Sequence, residues 1–205
     1  GGLILYNQSR NYYPSTYTYI PRSYAGLVGR VTYSYMTRYL LDLNVGYNGS
    51  ENFAPGKTRF GLFPSFSAGW VLSGEDFMSR QKVFSYLKLR ASWGLVGSDK
   101  GLNTRFMYMP AVWSGSGSYS FGVDNPDGAP AASVSRLGND LVTWETAAKT
   151  NVGIDAKFLD SRLSLVADWF FEDRKGILIT PESTPAIIAT KSPDLNIGEV
   201  INRGY

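Results

Sequence analysis

The sequence predicts an all-β protein: an antiparallel sheet of six or seven strands that forms part of the wall of a transmembrane β-barrel. Three observations support this prediction. The composition favours strands and turns, with 22 glycines and 14 tyrosines among 205 residues. Six windows alternate apolar and polar residues with a period of two. The links between these windows are alternately short and long, as barrels with short inner turns and long outer loops require.

The composition also limits which functions are plausible. Apolar residues make up 43% of the chain and aromatic residues 15%, so the chain can bury a sizeable surface. The net charge is +3, from 20 basic and 17 acidic residues, which is too balanced to suggest a nucleic-acid partner. The chain has neither histidine nor cysteine, the commonest general base and the commonest zinc ligands. We therefore expect no enzyme, no cofactor and no metal site.

The alternation defines six predicted strands. They are Gly26–Met36, Arg38–Tyr47, Phe60–Leu72, Leu87–Leu95, Thr143–Phe158 and Arg162–Arg174, with a seventh beginning near Val200–Tyr205. Of the charged residues inside the six windows, only Asp173 lies on the more apolar parity. Since successive strand side chains point to opposite faces, each window predicts one apolar face and one polar face.

Local signals predict the links between the strands. Thr37 and Leu159–Ser161 are predicted to be tight turns at one end, and the segment after Leu72 is a compact link at the same end. Long links are predicted at the other end, at 48–59, 97–140 and 175–198. Ser73 followed by Asp76 has capping-box spacing and predicts a short helix over 74–84. Pro64 predicts a bend or bulge in the third strand.

Three blocks occur in order along the chain: Arg38–Leu41 (RYLL), Tyr47–Gly56 (YNGSENFAPG) and Gly61–Trp70 (GLFPSFSAGW). The pattern continues through Leu87–Gly94, Trp144–Asp155 and Arg162–Leu165. In this order and spacing, the blocks resemble the SusC/RagA family of TonB-dependent transporters. Asn48, Glu51 and Asn52 stand where the family pattern has Asp, Ser and Arg. The segment 97–140 matches no part of the pattern. The resemblance covers about 25–205.

The resemblance implies a location, a transport activity and partners. A family member would lie in the bacterial outer membrane and import oligosaccharides or peptides, with a SusD-like surface lipoprotein as lid and TonB as the energy source. Residues 1–205 would all belong to its barrel domain, and the plug and the TonB-binding segment would lie N-terminal to it. We read both ends of the sequence as cuts within a longer protein.

Candidate substrate-binding residues come from one predicted loop and from the polar parity of the strands. Trp113, Tyr119 and Phe121 lie among glycines and serines in the long outer link, where their rings could stack on sugars. Arg90 and Lys149 lie on the polar parity, which faces the barrel lumen. For these charges, pairing with one another, with the plug and with water is the simpler explanation, because the interior of any wide barrel is polar. Likewise, the strand aromatics, Trp144 among them, are expected to form an interfacial girdle rather than a binding site.

Two alternatives remain open from the sequence. A passive porin would have the same wall without energy coupling. A secreted or surface glycan-binding β protein would use the aromatic link 113–121 as its binding face, and its strands would not contact lipid.

Overall fold

The computed structural model describes residues 1–14, 19–56, 58–81, 83–100, 105–120, 128–181 and 192–205, and for 111–117 and 129–136 it describes the backbone alone. Ten strands are assigned within these ranges. They are β1 (Gly2–Asn11), β2 (Arg22–Tyr35), β3 (Tyr39–Ser50), β4 (Phe60–Val71), β5 (Phe84–Ser98), β6 (Ala111–Tyr119), β7 (Ala129–Arg136), β8 (Glu145–Phe158), β9 (Leu163–Ile179) and β10 (Leu195–Gly204).

Eight of these strands form one antiparallel sheet in the order β1-β2-β3-β4-β5-β8-β9-β10. The remaining two, β6 and β7, pair with each other in a separate hairpin within the link between β5 and β8. Because neighbouring strands are antiparallel, the links at residues 36–38, 72–83 and 159–162 lie at one end of the sheet, which we call the inner end. The links at 12–21, 51–59, 99–144 and 180–194 lie at the opposite, outer end, so the predicted links fall on the two sides as expected. The inner link at 72–83 is nevertheless longer than the outer links at 12–21 and 51–59.

The inner turns are tight because their residues adopt left-handed backbone conformations. Met36 and Thr37 have φ angles of 49° and 57°, and the Arg38 amide donates to the Tyr35 carbonyl at 3.0 Å, so that three residues, 36–38, connect the paired Tyr35 and Tyr39. Leu159, Asp160 and Ser161 also have positive φ angles, and the Arg162 amide donates to the Leu159 carbonyl at 3.1 Å. Both turns fall where the sequence predicted them.

Three details of the sheet differ from the prediction. The first strand, β1, was not predicted, because the run Leu3–Tyr6 places apolar residues on both faces and so shows no alternation. The last strand begins at Leu195, earlier than expected. The third predicted strand, which is β4, has no bulge, since its register with β3 continues unbroken through Pro64. Pro64 lies just beyond the end of the pairing between β4 and β5, where no ladder donor is needed.

The predicted helix over 74–84 is wrong. Two single 3₁₀ turns occupy this link, Leu72–Gly74 and Asp76–Met78, and neither has a side-chain cap. Glu75 between them has an extended backbone, with φ −86° and ψ 147°, which interrupts any continuous helix. No helix in the described ranges is long and apolar enough to cross a membrane.

The sheet has one apolar face and one polar face. The apolar face carries large side chains that are close to half exposed, such as Leu43, Leu62, Leu89, Leu165 and Trp169. The polar face carries the strand charges Arg30, Asp42, Lys88, Arg90, Glu145, Lys149, Asp155, Asp168, Glu172 and Arg174. A sheet that leaves so much apolar side-chain area uncovered needs an apolar medium against that face.

The two faces predict opposite responses to the same substitution. In the full-length protein refolded into lipid bilayers, Leu89→Arg places a charge on the apolar face and should cost about 2–4 kcal/mol of unfolding free energy near the bilayer midplane. Ser92→Arg, three residues along the same strand and on the polar face, should cost far less. Chemical denaturation of both variants against the parent measures the difference, and equal losses would contradict this assignment of the faces.

Candidate functional site

The outer links are held together by a small hydrophobic core, which we call the outer cluster. It consists of the buried side chains Phe53, Met107, Val142, Trp144 and Leu178. The Phe53 and Trp144 ring centroids are 5.1 Å apart, and Phe63 meets Trp144 edge-on at 5.2 Å. These residues come from three links and the end of β9. Hydrophobic burial therefore fixes the outer links against one another and against the sheet.

Trp144 was expected in an interfacial girdle, and this expectation is wrong. The residue is 7% exposed and lies just before β8 rather than in it. The predicted strand began two residues too early, at Thr143 instead of Glu145. Tyr35, Tyr39 and Trp70 do form a row of aromatic rings on the apolar face near the inner end, with neighbouring centroids 6.3 Å apart.

A buried ion pair joins three of the outer links. Arg105 Nε donates to Glu51 Oε1 at 2.6 Å, and the two side chains are 4% and 11% exposed. The same guanidinium donates to the backbone carbonyls of Ile20 and Pro21. Glu51 Oε2 in turn accepts a hydrogen bond from the Ser23 amide at 2.9 Å. Glu51 is one of the residues at which the sequence departs from the family pattern, and its carboxylate here has a specific structural partner.

Polar side chains extend this connection around the outer end. Ser50 Oγ donates to the Asp99 carboxylate at 2.6 Å, and the Asn52 side-chain amide donates to the Asp99 carbonyl at 3.0 Å. Near the start of β10, the Asn196 side-chain amide donates to the backbone carbonyls of Thr143 and Gly176. Its side-chain oxygen accepts a hydrogen bond from the Thr143 amide. The block that resembles the family's loop motif therefore anchors the links that follow β3, β5 and β7.

The polar face carries ion pairs that bridge neighbouring strands. Arg90 on β5 donates to Asp155 on β8 at 3.3 Å and to Asp168 on β9 at 2.7 Å. Nearer the outer end, Arg174 donates to both Glu145 and Glu172. On the first strands of the sheet, Arg30 pairs with Asp42 through two guanidinium nitrogens. The expectation that the polar-face charges pair with one another is confirmed for these groups.

Gly153 makes the Arg90 cluster geometrically possible. A β-carbon at residue 153 would lie 2.5 Å from Asp168 Oδ1 and 2.8 Å from Arg90 Cζ. Arg90 and Gly153 are directly paired in the register between β5 and β8. The absence of a side chain at residue 153 therefore lets the Arg90 guanidinium cross β8 and reach Asp168 on β9.

The five candidate binding residues fall in different parts of the molecule. Arg90 lies in the cluster with Asp155 and Asp168, and Lys149 Nζ is 3.5 Å from Glu172 Oε2. Tyr119 is the last residue of β6, in the hairpin that β6 and β7 form, and this residue is 69% exposed. Phe121 and the side chain of Trp113 lie outside the described residues. The sheet thus brings Arg90 and Lys149 onto one face, while Tyr119 belongs to the separate hairpin.

At the inner end, Glu75 connects the link after β4 to the hairpin between β2 and β3. Its carboxylate accepts the Trp70 indole N–H at 3.0 Å and lies 3.4 Å from Arg38 Nη1. The hydrogen bond from Trp70, then that from Tyr39, and the charge of Arg38 hold the pKa of Glu75 below its ordinary value.

The Glu51–Arg105 pair yields a prediction about stability. Glu51→Ala would remove the carboxylate that the buried Arg105 guanidinium contacts at 2.6 Å, and we expect a loss of about 3–5 kcal/mol in the unfolding free energy of the full-length protein. Lys149→Met serves as the matched control, because Lys149 is half exposed in its pair and its removal should cost less than about 1 kcal/mol. Urea unfolding in detergent measures both. A Glu51→Ala loss no larger than the control's would show that the pair does not hold the links.

Glu75 yields a prediction about pH. Because its pKa is lowered by folding, its contribution to stability is complete above the ordinary glutamate pKa of about 4.3 and is lost as the pH falls through the lowered value. The Trp70 indole Nε1–H resonance should shift over that acidic range as the carboxylate is protonated. Glu75→Gln should abolish the titration, and an unchanged shift in this variant would assign it to another group.

The comparisons with known proteins agree with this geometry. The family model "TonB dependent receptor-like, beta-barrel" matches residues 3–205. The chain is 30% identical over 178 residues to the TonB-dependent receptor SusC of Bacteroides thetaiotaomicron, a match that covers 86% of this chain and 17% of SusC.

Solved structures share the fold. The RagAB peptide importer in its "closed-closed" state superposes with a TM-score of 0.74 at 22% identity, over 89% of this chain and 19% of that one. The siderophore receptor PirA from Pseudomonas aeruginosa superposes with a TM-score of 0.59 at 14% identity, over 98% of this chain and 34% of that one. The chain thus spans about a fifth of SusC and of the RagAB importer chain. The two-faced sheet, its inner and outer ends and these matches together show that the chain belongs to the TonB-dependent receptor-like β-barrel family of the bacterial outer membrane, with SusC/RagA-type relatives.

Proposed function

We propose that this chain forms part of the wall and outer loops of an active importer that takes up oligosaccharides or peptides across the outer membrane. The observation that carries the proposal is the family match over 3–205, on a sheet whose faces suit lipid on one side and a polar lumen on the other. The transport step would draw energy from TonB, through parts of the protein outside this sequence. The match to an outer-membrane family decides against the secreted glycan-binding alternative.

The choice of cargo class rests on the relatives. The neighbour with a TM-score of 0.74 is described as a peptide importer, and the relative at 30% identity is SusC. We infer that the intact protein works with a SusD-like surface lipoprotein that covers the outer end of the barrel. The outer cluster and the Glu51–Arg105 pair would give such a lid a fixed rim on which to close.

Transport assays in a strain lacking the gene test this proposal. Reintroduced full-length protein should restore growth on an oligosaccharide or peptide source, and growth should be lost again when TonB is deleted. The surface lipoprotein should copurify with the transporter in detergent. Uptake that persists without TonB would instead identify a passive porin, and growth that the gene never restores would reject import of these cargoes.

The aromatic residues of the link 113–121 yield a prediction about cargo contact. We propose that Trp113, Tyr119 and Phe121, in the part of the sequence between β5 and β8, contact cargo, since aromatic rings among glycines and serines can stack on sugars or side chains at small conformational cost. Trp113→Ala with Tyr119→Ala should weaken cargo binding at normal surface abundance. Leu141→Ala, which removes another exposed outer side chain, is the control. Binding that is unchanged in the double variant, measured by calorimetry on the purified transporter, would return the hairpin to a structural role.

A further inference from the structure

An open groove lies on the apolar face of the sheet, near the inner end. Its floor is formed by Ala68 of β4 and Ala91 of β5, which are direct partners in the register of these strands and are both exposed. The next pair towards the inner end is much bulkier and consists of Trp70 and Leu89. The groove has a volume of about 840 Å³, and its lining reaches Tyr39, the first residue of β3. Since the apolar face of a transmembrane barrel lies against hydrocarbon, the groove opens to lipid.

The aromatic rings at the inner end of the groove are held in place by a carboxylate. Glu75 accepts the Trp70 indole N–H at 3.0 Å and a hydrogen bond from the Tyr39 hydroxyl. The Tyr39 and Trp70 rings are stacked, with centroids 6.3 Å apart and planes 14° from parallel. Because both rings are already fixed, a molecule that binds against them costs the protein little further side-chain freedom.

Three charged side chains lie directly beyond these rings, and we call them the inner charged cluster. Arg38 Nη1 is 3.4 Å from Glu75 Oε2, and Arg38 Nη2 is 3.8 Å from Asp76 Oδ1. The Arg38 side chain is 30% exposed and that of Asp76 is fully exposed, so both can bind a further group. Trp70 lines the groove and also donates to Glu75, so the cluster adjoins the groove. One cation beside two carboxylates suits a ligand that carries both a phosphate and a positive charge.

The spacing along β4 matches the depth of a phospholipid. Interfacial aromatic rings such as Trp70 lie at the level of the lipid headgroups. Ala68 is two residues further from the inner end than Trp70, which is about 7 Å along the strand. A headgroup at Arg38 and Asp76 therefore places the start of an acyl chain over the alanine floor, where the small side chains leave room for it.

We propose that this groove binds one phospholipid of the inner leaflet that has an ethanolamine headgroup. Arg38 takes the phosphate, Asp76 takes the primary ammonium, and the alanine floor takes an acyl chain. A choline headgroup has no N–H to donate to Asp76, and a glycerol headgroup brings no positive charge to the two carboxylates. The site requires only the outer-membrane location, so it goes beyond the proposed function and does not depend on the cargo.

Native mass spectrometry of the full-length transporter in mild detergent tests the headgroup contact. Three phospholipids with the same acyl chains and with ethanolamine, choline or glycerol headgroups are added in turn. We expect the ethanolamine lipid to be retained about two- to fivefold more than the choline lipid, as an exposed charge pair allows. Asp76→Asn should abolish this preference, whereas a purely structural role of Asp76 would leave the preference unchanged.

The alanine floor is tested by filling it. Ala68→Leu combined with Ala91→Leu occupies the groove and should remove most of the retained ethanolamine lipid. Ala167→Leu makes the same change at an exposed alanine of the apolar face on β9, outside the groove, and should leave retention unchanged. Heat-modifiable migration on gels checks that each variant is folded. If the filled variant does not fold, Asp76→Asn, at a fully exposed side chain, still decides the headgroup preference.

Several results would overturn the site. They are equal retention of the three lipids, stronger retention of the choline or glycerol lipid, and equal losses in the filled variant and Ala167→Leu. A filled variant that separates a dimer into monomers without losing lipid would instead assign the groove to an interface between copies of this chain. Uptake is not measured in any of these experiments, so failure of the lipid site leaves the proposed function standing.

Discussion

The structure depends on one constraint: every strand must face two different surroundings while its backbone hydrogen bonds are satisfied by its neighbours. In hydrocarbon no water can replace a missing backbone partner, so spanning strands survive only inside a continuous ladder. The unbroken registers from β2 through β5 and from β8 to β9 meet that requirement. Because the ladder fixes alternate side chains on opposite faces, it also places Leu89 and Arg90 in different media although they are adjacent in the chain.

The two ends of the sheet meet different demands. In two of the inner links, 36–38 and 159–162, the chain reverses within a few residues, and left-handed backbone at Met36 and Thr37 makes the first of these reversals possible. At the outer end the links are long, and length alone would leave them without fixed positions. Phe53 and Trp144 supply hydrophobic burial there, and Arg105 supplies buried charge. The outer end thus has a small core of its own.

The wall was predictable from sequence and the outer end was not, for a physical reason. Alternation between lipid and lumen leaves a period of two in the sequence, which located most strand centres and both tight turns. The outer cluster leaves no such period, because Phe53, Met107 and Leu178 are far apart in the chain and meet only after folding. Arg105 and Glu51 had no local feature marking them as a pair. The sequence showed that Glu51 departs from the family pattern, but it did not show that Arg105 is the partner of Glu51. For the candidate site, alternation placed Arg90 and Lys149 on the polar face but could not show which carboxylates they meet.

The unequal links also bear on how the sheet assembles. Tyr35 and Tyr39 pair across the hairpin between β2 and β3 after a very short loop, whereas β5 and β8 pair only after the chain closes over residues 99–144. Loop-closure entropy grows with the logarithm of loop length, so the second closure costs about 2 kcal/mol more than the first. Strands β2 to β5 can therefore form as a series of local hairpins between sequence neighbours, and strands β8 to β10 can form in the same way. The joining of these two blocks at β5 and β8 is the slow, non-local event, when unpaired strand edges are most open to wrong partners.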